Sequence, residues 1–178
     1  LEALKAAESS ATEQDKDFWR LLGDLAWNLD QGDTARHAYF KRQRADDWQR
    51  TDMDRLLSLL DPAQNDERLA ISRAAWHRTG SLNYLSMALA ILLERNQLAA
   101  AKLLLTELTA DKLREANRDS DFLVQRARFH LLSGDPSRAR ADLMTAHSHS
   151  PSPELKSSLV WMLIDTRDSA SLNGVLSQ

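Results

Sequence analysis

Apolar residues recur along this chain at intervals of three and four, which is the spacing of one face of an α-helix. The stretch from Leu123 to Pro151 shows the pattern most completely, because two such stripes flank the sequence Gly134-Asp135-Pro136. The stripes hold Leu123, Ala127, His130 and Leu131 before this turn, and Ala139, Leu143 and Ala146 after it. Glycine and proline interrupt helices, and Pro151 falls where the second stripe ends. The stretch therefore predicts two antiparallel helices joined by a tight turn.

The same pattern continues along the rest of the chain, and nowhere does it alternate as a β-strand would. The predicted segments are the second helix of a preceding hairpin at 1–15, hairpins at 16–45, 51–78, 82–109 and 120–150, and a partial hairpin at 153–178. The polar stretch 109–120 is predicted to be a connector. A single hairpin cannot bury its own apolar faces, so neighbouring hairpins must stack. We therefore expect an all-α fold, an α-solenoid formed by residues 1–178 as a single domain.

A small residue near the start of each second helix gives the repeat length. Ala35, Ala70, Ala101 and Ala139 lie 35, 31 and 38 residues apart by subtraction of their numbers. These intervals scatter around the ~34 residues of the tetratricopeptide repeat, and the chain resembles that family. The matching positions are Trp19, Leu22, Gly23, Ala26, Ala35 and Tyr39 in the first hairpin, and Leu123, Ala127, Gly134, Asp135, Ala139, Leu143, Ala146 and Pro151 in the last. The turn glycine of the first hairpin, Gly32, is displaced by two positions, and the middle hairpins lack the glycine-rich turn and the aromatics.

The resemblance implies a right-handed solenoid in which the first helix of each repeat lines a groove that contacts a protein partner. Carried onto this sequence, the groove positions are Arg20, Asp24, Trp27, Asn28, Asn83, Ser86, Ala90, Glu94, Asp121, Val124, Arg128 and Trp161. Tryptophan faces also stack on sugar rings, so a direct polysaccharide ligand is a further option. The alternative for Trp27 and Trp161 is packing between adjacent repeats. Trp19 and Trp76 are predicted to be core residues, and the position of Trp48 in a connector is undetermined.

A narrower resemblance rests on three segments, residues 18–27, 74–76 and 159–165. They resemble the periplasmic tetratricopeptide region of Pel-type exopolysaccharide exporters. That resemblance implies a periplasmic scaffold attached to an outer-membrane protein, which recruits a polysaccharide deacetylase or hydrolase and helps guide polymer to the pore. The alternative is a generic peptide-binding adaptor or chaperone-like module, which would suit a cytoplasmic location. A basic clamp for a peptide carboxylate ranks second, because its candidates Arg20, Asn28, Asn83 and Arg128 are sparse and interrupted by acids.

Composition removes several classes of function. With a net charge of -3 and a pI near 6.0, the chain lacks the basic surface on which nucleic-acid binding usually depends. It contains no cysteine, which excludes disulfides and cysteine-based zinc sites. Its sequence has no apolar run long enough to span a bilayer. The chain starts at Leu1 in the middle of a helical pattern, so we expect it to be a segment of a longer protein.

The candidate catalytic and metal-binding residues point to no recognisable chemistry. His147 and His149 lie near Asp142, but side chains two positions apart diverge on a helix, so solvated surface is expected rather than a metal site. His37, His77 and His130 are isolated, and they are predicted to be at least partly buried. No nucleophile elbow, phosphate loop or zinc motif is present, so we expect no enzyme and no cofactor. The basic cluster 41–44 is interpreted as a solvated helix end that complements the helix dipole, rather than as a nucleic-acid patch.

Overall fold

The computed structural model describes residues 1–12 and 15–165, and every regular element within these ranges is helical. The α-helices are α1 (Glu2–Ala7), α2 (Lys16–Asn28), α3 (Gly32–Arg44), α4 (Arg50–Leu59), α5 (Asn65–Thr79), α6 (Leu82–Glu94), α7 (Leu98–Thr106), α8 (Ala110–Ala116), α9 (Ser120–Leu132), α10 (Pro136–His149) and α11 (Pro153–Asp165), with a 3₁₀ turn at Glu8–Ser10. The predicted all-α fold of helix–turn–helix repeats is confirmed. The end of the partial hairpin predicted at 153–178, from residue 166 onwards, lies outside the described residues.

The chain divides into two compact units, of which unit 1 comprises residues 1–75 and unit 2 begins at Trp76. In unit 1, α2 packs along α3 as the first predicted hairpin. Its core includes the fully buried side chains of Trp19, Leu22 and Tyr39. The Trp19 indole Nε1 donates to the carbonyl of Thr12 at 2.7 Å, which fixes the chain as it enters α2.

Unit 2 is built around the α9–α10 hairpin, which contacts α6 through α9 and α11 through α10. A single buried cluster joins α9, α10 and α11, formed by Leu123, Ala127, Ala139, Leu143, Ala146, Leu155, Leu159, Met162 and Leu163. Apart from His130, which is half-buried, the predicted stripes of this hairpin are therefore core residues. Leu131 is an exception, because it is 44% exposed near the end of α9.

Three of the four hairpin turns share one backbone geometry, although only one of the three has glycine at the turn position, and the turn between α4 and α5 differs because Leu60 at the end of α4 is extended. Gly134 has φ +79, while Asp30 and Asn96 occupy the same left-handed region at +55 and +54. At each turn the next residue donates its N–H to the carbonyl five positions before it, at 2.8 Å in all three cases. Asp and Asn tolerate this conformation better than other side chains do. The first turn glycine is therefore not displaced, because Asp30 fills its position and Gly32 begins α3.

The predicted connector at 109–120 contains a short helix, α8, which the apolar periodicity did not predict. Thr109 caps this helix by accepting from the Lys112 N–H at 3.3 Å. Ala116 is completely buried, and the other residues of α8 are exposed or half-buried. A seven-residue helix with one buried position produces too little apolar periodicity to be recognised as a helix.

Candidate binding surface

The predicted groove positions lie on the first helices of the hairpins, and the structure gives them three kinds of environment. Seven are exposed: Arg20, Asn28, Asn83, Glu94, Asp121, Arg128 and Trp161. Four are half-buried: Asp24, Trp27, Ala90 and Val124. Ser86 is buried at 8% exposure, and its hydroxyl has no hydrogen-bond partner among the described residues. The exposure expected of Ser86 is contradicted, because α6 is buried on more than one face.

In unit 1, the half-buried positions of α2 converge on a residue from α4. Arg55 donates through Nη1 to the Asp24 carboxylate at 2.7 Å and to the Tyr39 hydroxyl at 2.9 Å. Its guanidinium also lies 5.3 Å from the centre of the Trp27 ring, within range of a cation–π contact. Both Trp27 and Asp24 therefore contact Arg55 of the next hairpin, within unit 1.

The polar group between α2, α3 and α4 is held in a defined charge state. Burial raises the pKa of Tyr39 above 10.0, although the hydrogen bond from Arg55 opposes that shift. The phenol therefore stays neutral at pH 7 and accepts from the arginine, while Asp24 supplies the counter-charge. This arrangement orients Arg55, a residue that no sequence motif singled out.

In unit 2, α9 presents Asp121, Val124 and Arg128 on one stripe, since they are separated by three and four residues. Val124 packs against the buried cluster of α9, α10 and α11. Asp121 and Arg128 are exposed, and neither forms an ion pair among the described residues. The stripe therefore offers one acidic and one basic side chain to a partner on either side of an apolar edge.

Trp161 is the most exposed of the large apolar residues in the described part of the chain, at 65%. It lies on α11, whose neighbouring residues Met162 and Leu163 are buried at 6% and 0% exposure. Ile164 is also exposed, at 46%, and it follows Trp161 by three positions. These two side chains form an apolar surface on a helix that is otherwise anchored in the core.

The remaining tryptophans occupy structural positions. Trp19 and Trp76 are buried at 2% and 6% exposure, as predicted. Trp48, which the sequence left undetermined, is also buried at 6%. The residues that could stack on a partner's ring or side chain are thus Trp161 and, less freely, Trp27.

The residue Arg126 turns inward between the exposed residues of α9. It donates from Nε and Nη2 to the two carboxylate oxygens of Asp142 at 2.8 and 2.6 Å, and from Nη1 to Asn117 at 2.9 Å. His130 Nε2 lies 3.7 Å from the same carboxylate. Burial lowers the pKa of His130 below 6.5, although the Asp142 charge opposes that shift. His130 is half-buried, as predicted.

Of the other four histidines, His149 is exposed as predicted, and the other three differ from their predicted environments. His147 is buried at 8% exposure rather than solvated, because α10 turns it inward, and its Nδ1 has no partner among the described residues. The His37 and His77 side chains are 49% and 55% exposed, contrary to the expected burial. In the described ranges, no three His, Asp or Glu side chains are placed to hold a metal ion.

The basic cluster 41–44 is not uniformly solvated, contrary to its interpretation as a solvated helix end. Arg42 is 4% exposed, and its Nη1 pairs with the equally buried Asp52 at 2.9 Å. Lys41 lies 5.7 Å from the centre of the Trp19 ring. Arg44 points outward and is exposed. Arg42 continues the buried stripe of α3. The prediction of a solvated side chain, which rested on its charge, was therefore wrong for this residue.

Comparisons with known proteins agree with this architecture. The tetratricopeptide repeat family model matches residues 1–178. The structure of MamA from residue 41 to its end, from Desulfovibrio magneticus RS-1, is similar with a TM-score of 0.67 and 11% identity, covering 93% of this chain and 94% of that chain. A thermophilic TPR protein of Thermus thermophilus is similar with a TM-score of 0.55 and 21% identity, covering 87% of this chain and 83% of that chain. No curated protein significantly matches this chain. None of the described helices has the length and hydrophobicity needed to cross a membrane.

Proposed function

The chain belongs to the tetratricopeptide repeat family, and on this premise we propose that it is a non-catalytic scaffold that binds a protein partner through the first helices of its repeats. The observation that carries the proposal is the 65% exposure of Trp161 on an otherwise anchored helix. Exposed tryptophans and arginines on rigid elements are the side chains that dominate protein–protein binding energies. The binding surface proposed for unit 2 includes Asp121, Arg128 and Trp161.

In unit 1, the proposed contacts are Arg20 and Asn28, which are exposed on α2. Asn83 and Glu94 on α6 are exposed in the same way in unit 2. Asp24 and Trp27 have a supporting role in this proposal, because Arg55 already engages both. The mixture of acidic, basic and aromatic groups suits a folded or extended protein segment better than a highly charged ligand.

The finer proposal, from the resemblance to Pel-type exporters, is that this scaffold is periplasmic and forms part of an outer-membrane polysaccharide export protein. Its partner would then be a polysaccharide deacetylase or hydrolase of the same pathway, and the polymer itself a second ligand guided to the pore. The alternative is a generic peptide-binding adaptor, and such an adaptor would suit a cytoplasmic location. The solvent-exposed tryptophan favours neither over the other, since it suits both a peptide and a sugar ring.

The experiment compares three immobilised proteins as bait for an envelope extract and for a cytosolic extract. The baits are the wild type, the variant Trp161→Ala/Arg128→Ala, and a control with exposed residues changed elsewhere in unit 2, Leu103→Ala/Lys102→Ala. We expect the wild type and the control to retain one specific protein that the Trp161→Ala/Arg128→Ala variant, called the groove variant, loses. Recovery of a polysaccharide-modifying enzyme from the envelope extract would support the export role. Retention of the same partner by the groove variant would contradict binding through the first helices.

A further inference from the structure

A cavity of ≈ 360 Å³ lies in unit 2 where α10 ends and α11 begins. It is lined by His147 of α10, by Lys156 of α11, and by Pro151, Ser152 and Pro153 where the two helices meet. None of these residues is among the predicted groove positions. A cavity of this volume can hold a small organic group, so it is a candidate binding site separate from the groove.

The turn that forms this α10–α11 cavity is fixed by capping and by packing. The Ser152 hydroxyl accepts from the Leu155 N–H at 3.1 Å, and Leu155 is buried in the cluster that joins α9, α10 and α11. Pro151 and Pro153 are exposed, and proline rings fix φ and leave no backbone N–H to be satisfied. The two rings therefore give the cavity rigid apolar walls that a ligand can reach.

His147 brings an unsatisfied polar atom to the cavity. Its side chain lines the cavity although it is only 8% exposed, and its Nδ1 has no hydrogen-bond partner among the described residues. Buried polar atoms are normally hydrogen-bonded, and an imidazole nitrogen can either donate or accept. A buried ring nitrogen without a partner, in a side chain that borders an accessible cavity, points to a ligand that supplies the missing hydrogen bond.

Lys156 gives the cavity its charge. Its side chain is half-buried in the lining, and it makes no ion pair or side-chain hydrogen bond within the described part of the chain. Glu154, the acid nearest to it in α11, is exposed and does not line the cavity. A half-buried cation without a counter-ion favours an anion in the space beside it. The lining thus offers one positive charge to a ligand.

We propose that the α10–α11 cavity binds a carboxylate carried on a small apolar group. Lys156 is its counter-ion, the His147 ring donates a hydrogen bond to it, and the apolar group packs against Pro151 and Pro153. A carboxylate has one charge and matches a single lysine, whereas a phosphate group carries nearly two charges and favours several donors. Free acids and the acidic side chains of proteins share this chemistry. The site does not depend on the proposed first-helix surface.

The test is a titration of the 178-residue protein with sodium benzoate at constant ionic strength, followed by NMR of the His147 ring nitrogens and of the Lys156 backbone amide. Benzamide has the same ring without the charge and is the neutral control. Inorganic phosphate is the competing anion. A short peptide with blocked ends, in which one glutamate follows a phenylalanine, tests an acidic protein side chain as the source of the carboxylate.

The variants separate the charge from the fold. Lys156→Gln removes the positive charge at a half-buried site, and Lys102→Gln makes the same change at an exposed site on α7. His147→Gln removes the ring and keeps a hydrogen-bonding group, and circular dichroism checks that this variant folds. The groove variant is included so that loss of binding in the cavity can be distinguished from failure of the proposed function.

We expect saturable shifts of the His147 ring nitrogens with benzoate, and binding that is weaker by about tenfold in Lys156→Gln. Lys102→Gln and the groove variant should bind benzoate as the wild type does, and benzamide and phosphate should bind more weakly than benzoate. Tighter binding of the peptide than of benzoate would identify a protein side chain as the source, and the reverse would identify a free acid.

Three results would overturn the proposal. The first is the absence of saturable shifts at His147 with both benzoate and the peptide, which would leave the cavity to water. The second is unchanged affinity in Lys156→Gln, which holds as a test even if His147→Gln fails to fold. The third is equal or tighter binding of benzamide or phosphate, which would show that the cavity does not select a carboxylate.

Discussion

At Gly23 the ring of Tyr39 occupies the space that a side chain would need. A Cβ atom at this position would lie 2.9 Å from Tyr39 Cε1 and 3.4 Å from the Cβ of Ala38. Gly23→Ala should therefore push α2 and α3 apart and lower the free energy of unfolding by about 1–3 kcal/mol, despite the better helix propensity of alanine. Urea denaturation followed by tryptophan fluorescence measures the change.

Gly32→Ala is the matched control for this prediction. Its Cβ would meet the flexible end of Leu59 at 3.3 Å, at the start of a helix, so we expect a change within about 0.5 kcal/mol. Equal stability of the two variants would show that the α2–α3 contact tolerates a methyl group.

The buried environment of His130 links its protonation to folding. Because burial lowers the pKa of His130 below its ordinary 6.5, the unfolded chain binds this proton more readily than the folded one. The free energy of unfolding should therefore fall as the pH drops below 6.5 towards the lowered pKa, and recover above 6.5. His130→Gln should lose this part of the pH dependence, as measured by urea unfolding across that range.

The groups facing His130 define the control for the pH experiment. Asp142 and Asp135 oppose the lowered pKa, whereas Arg126 and Arg138 add to it. His149→Gln, at an exposed site, should keep the wild-type pH dependence. An NMR titration that places the pKa of His130 at or above 6.5 would refute the interpretation.

At the scale of the element, helix α9 begins with a side-chain cap that can be tested directly. Asp119 accepts from the Phe122 N–H at 2.8 Å, whereas Ser81 at the start of α6 makes no such bond. Asp119→Ala should cost about 1 kcal/mol of stability, and Ser81→Ala should cost clearly less. Urea unfolding gives both values, and hydrogen exchange should show faster opening in the first turn of α9. Similar costs for the two substitutions would mean that the cap does not stabilise α9.

The elements could be predicted from the sequence where periodicity and turn residues were strong. The α9–α10 hairpin follows from its apolar stripes and Gly134-Asp135-Pro136, because these residues act locally. The left-handed role of Asp30 and Asn96 was less apparent, since neither residue requires that conformation. Helix α8 was missed because one buried alanine is too weak a signal.

The candidate site was less predictable than the fold, because exposure depends on neighbours that periodicity does not specify. Ser86 and Val124 lie on first helices at plausible groove positions, yet one is buried and the other packs on the core. Arg55 could not be selected, since its importance comes from Asp24 and Tyr39 on other helices. Trp161 was predicted to be a groove position because it lies on a first helix, and the structure places it at the surface.

For the whole molecule, the repeats keep the same turn geometry although their signature residues differ. The turn positions Asp30, Asn96 and Gly134 keep one backbone geometry with three different side chains. The longest interval, from Ala101 to Ala139, contains the additional helix α8. The small residues Ala35, Ala101 and Ala139 are completely buried at the start of their second helices, whereas Ala70, the fourth small residue of the predicted repeat, is exposed.

The pairing of Arg42 with Asp52 also bears on the use of these hairpins as interchangeable modules in protein engineering. Arg42 belongs to the first hairpin and Asp52 to the second, and each is 4% exposed. Transplanting the second hairpin beside an unrelated repeat would leave the buried carboxylate of Asp52 without its counter-ion, at a cost of about 3–5 kcal/mol, whereas Arg42 would keep Asp47 at 3.7 Å. The order of these two repeats is therefore encoded in a matched pair of side chains, and a shuffled array that carries Asp52 would have to carry Arg42 as well.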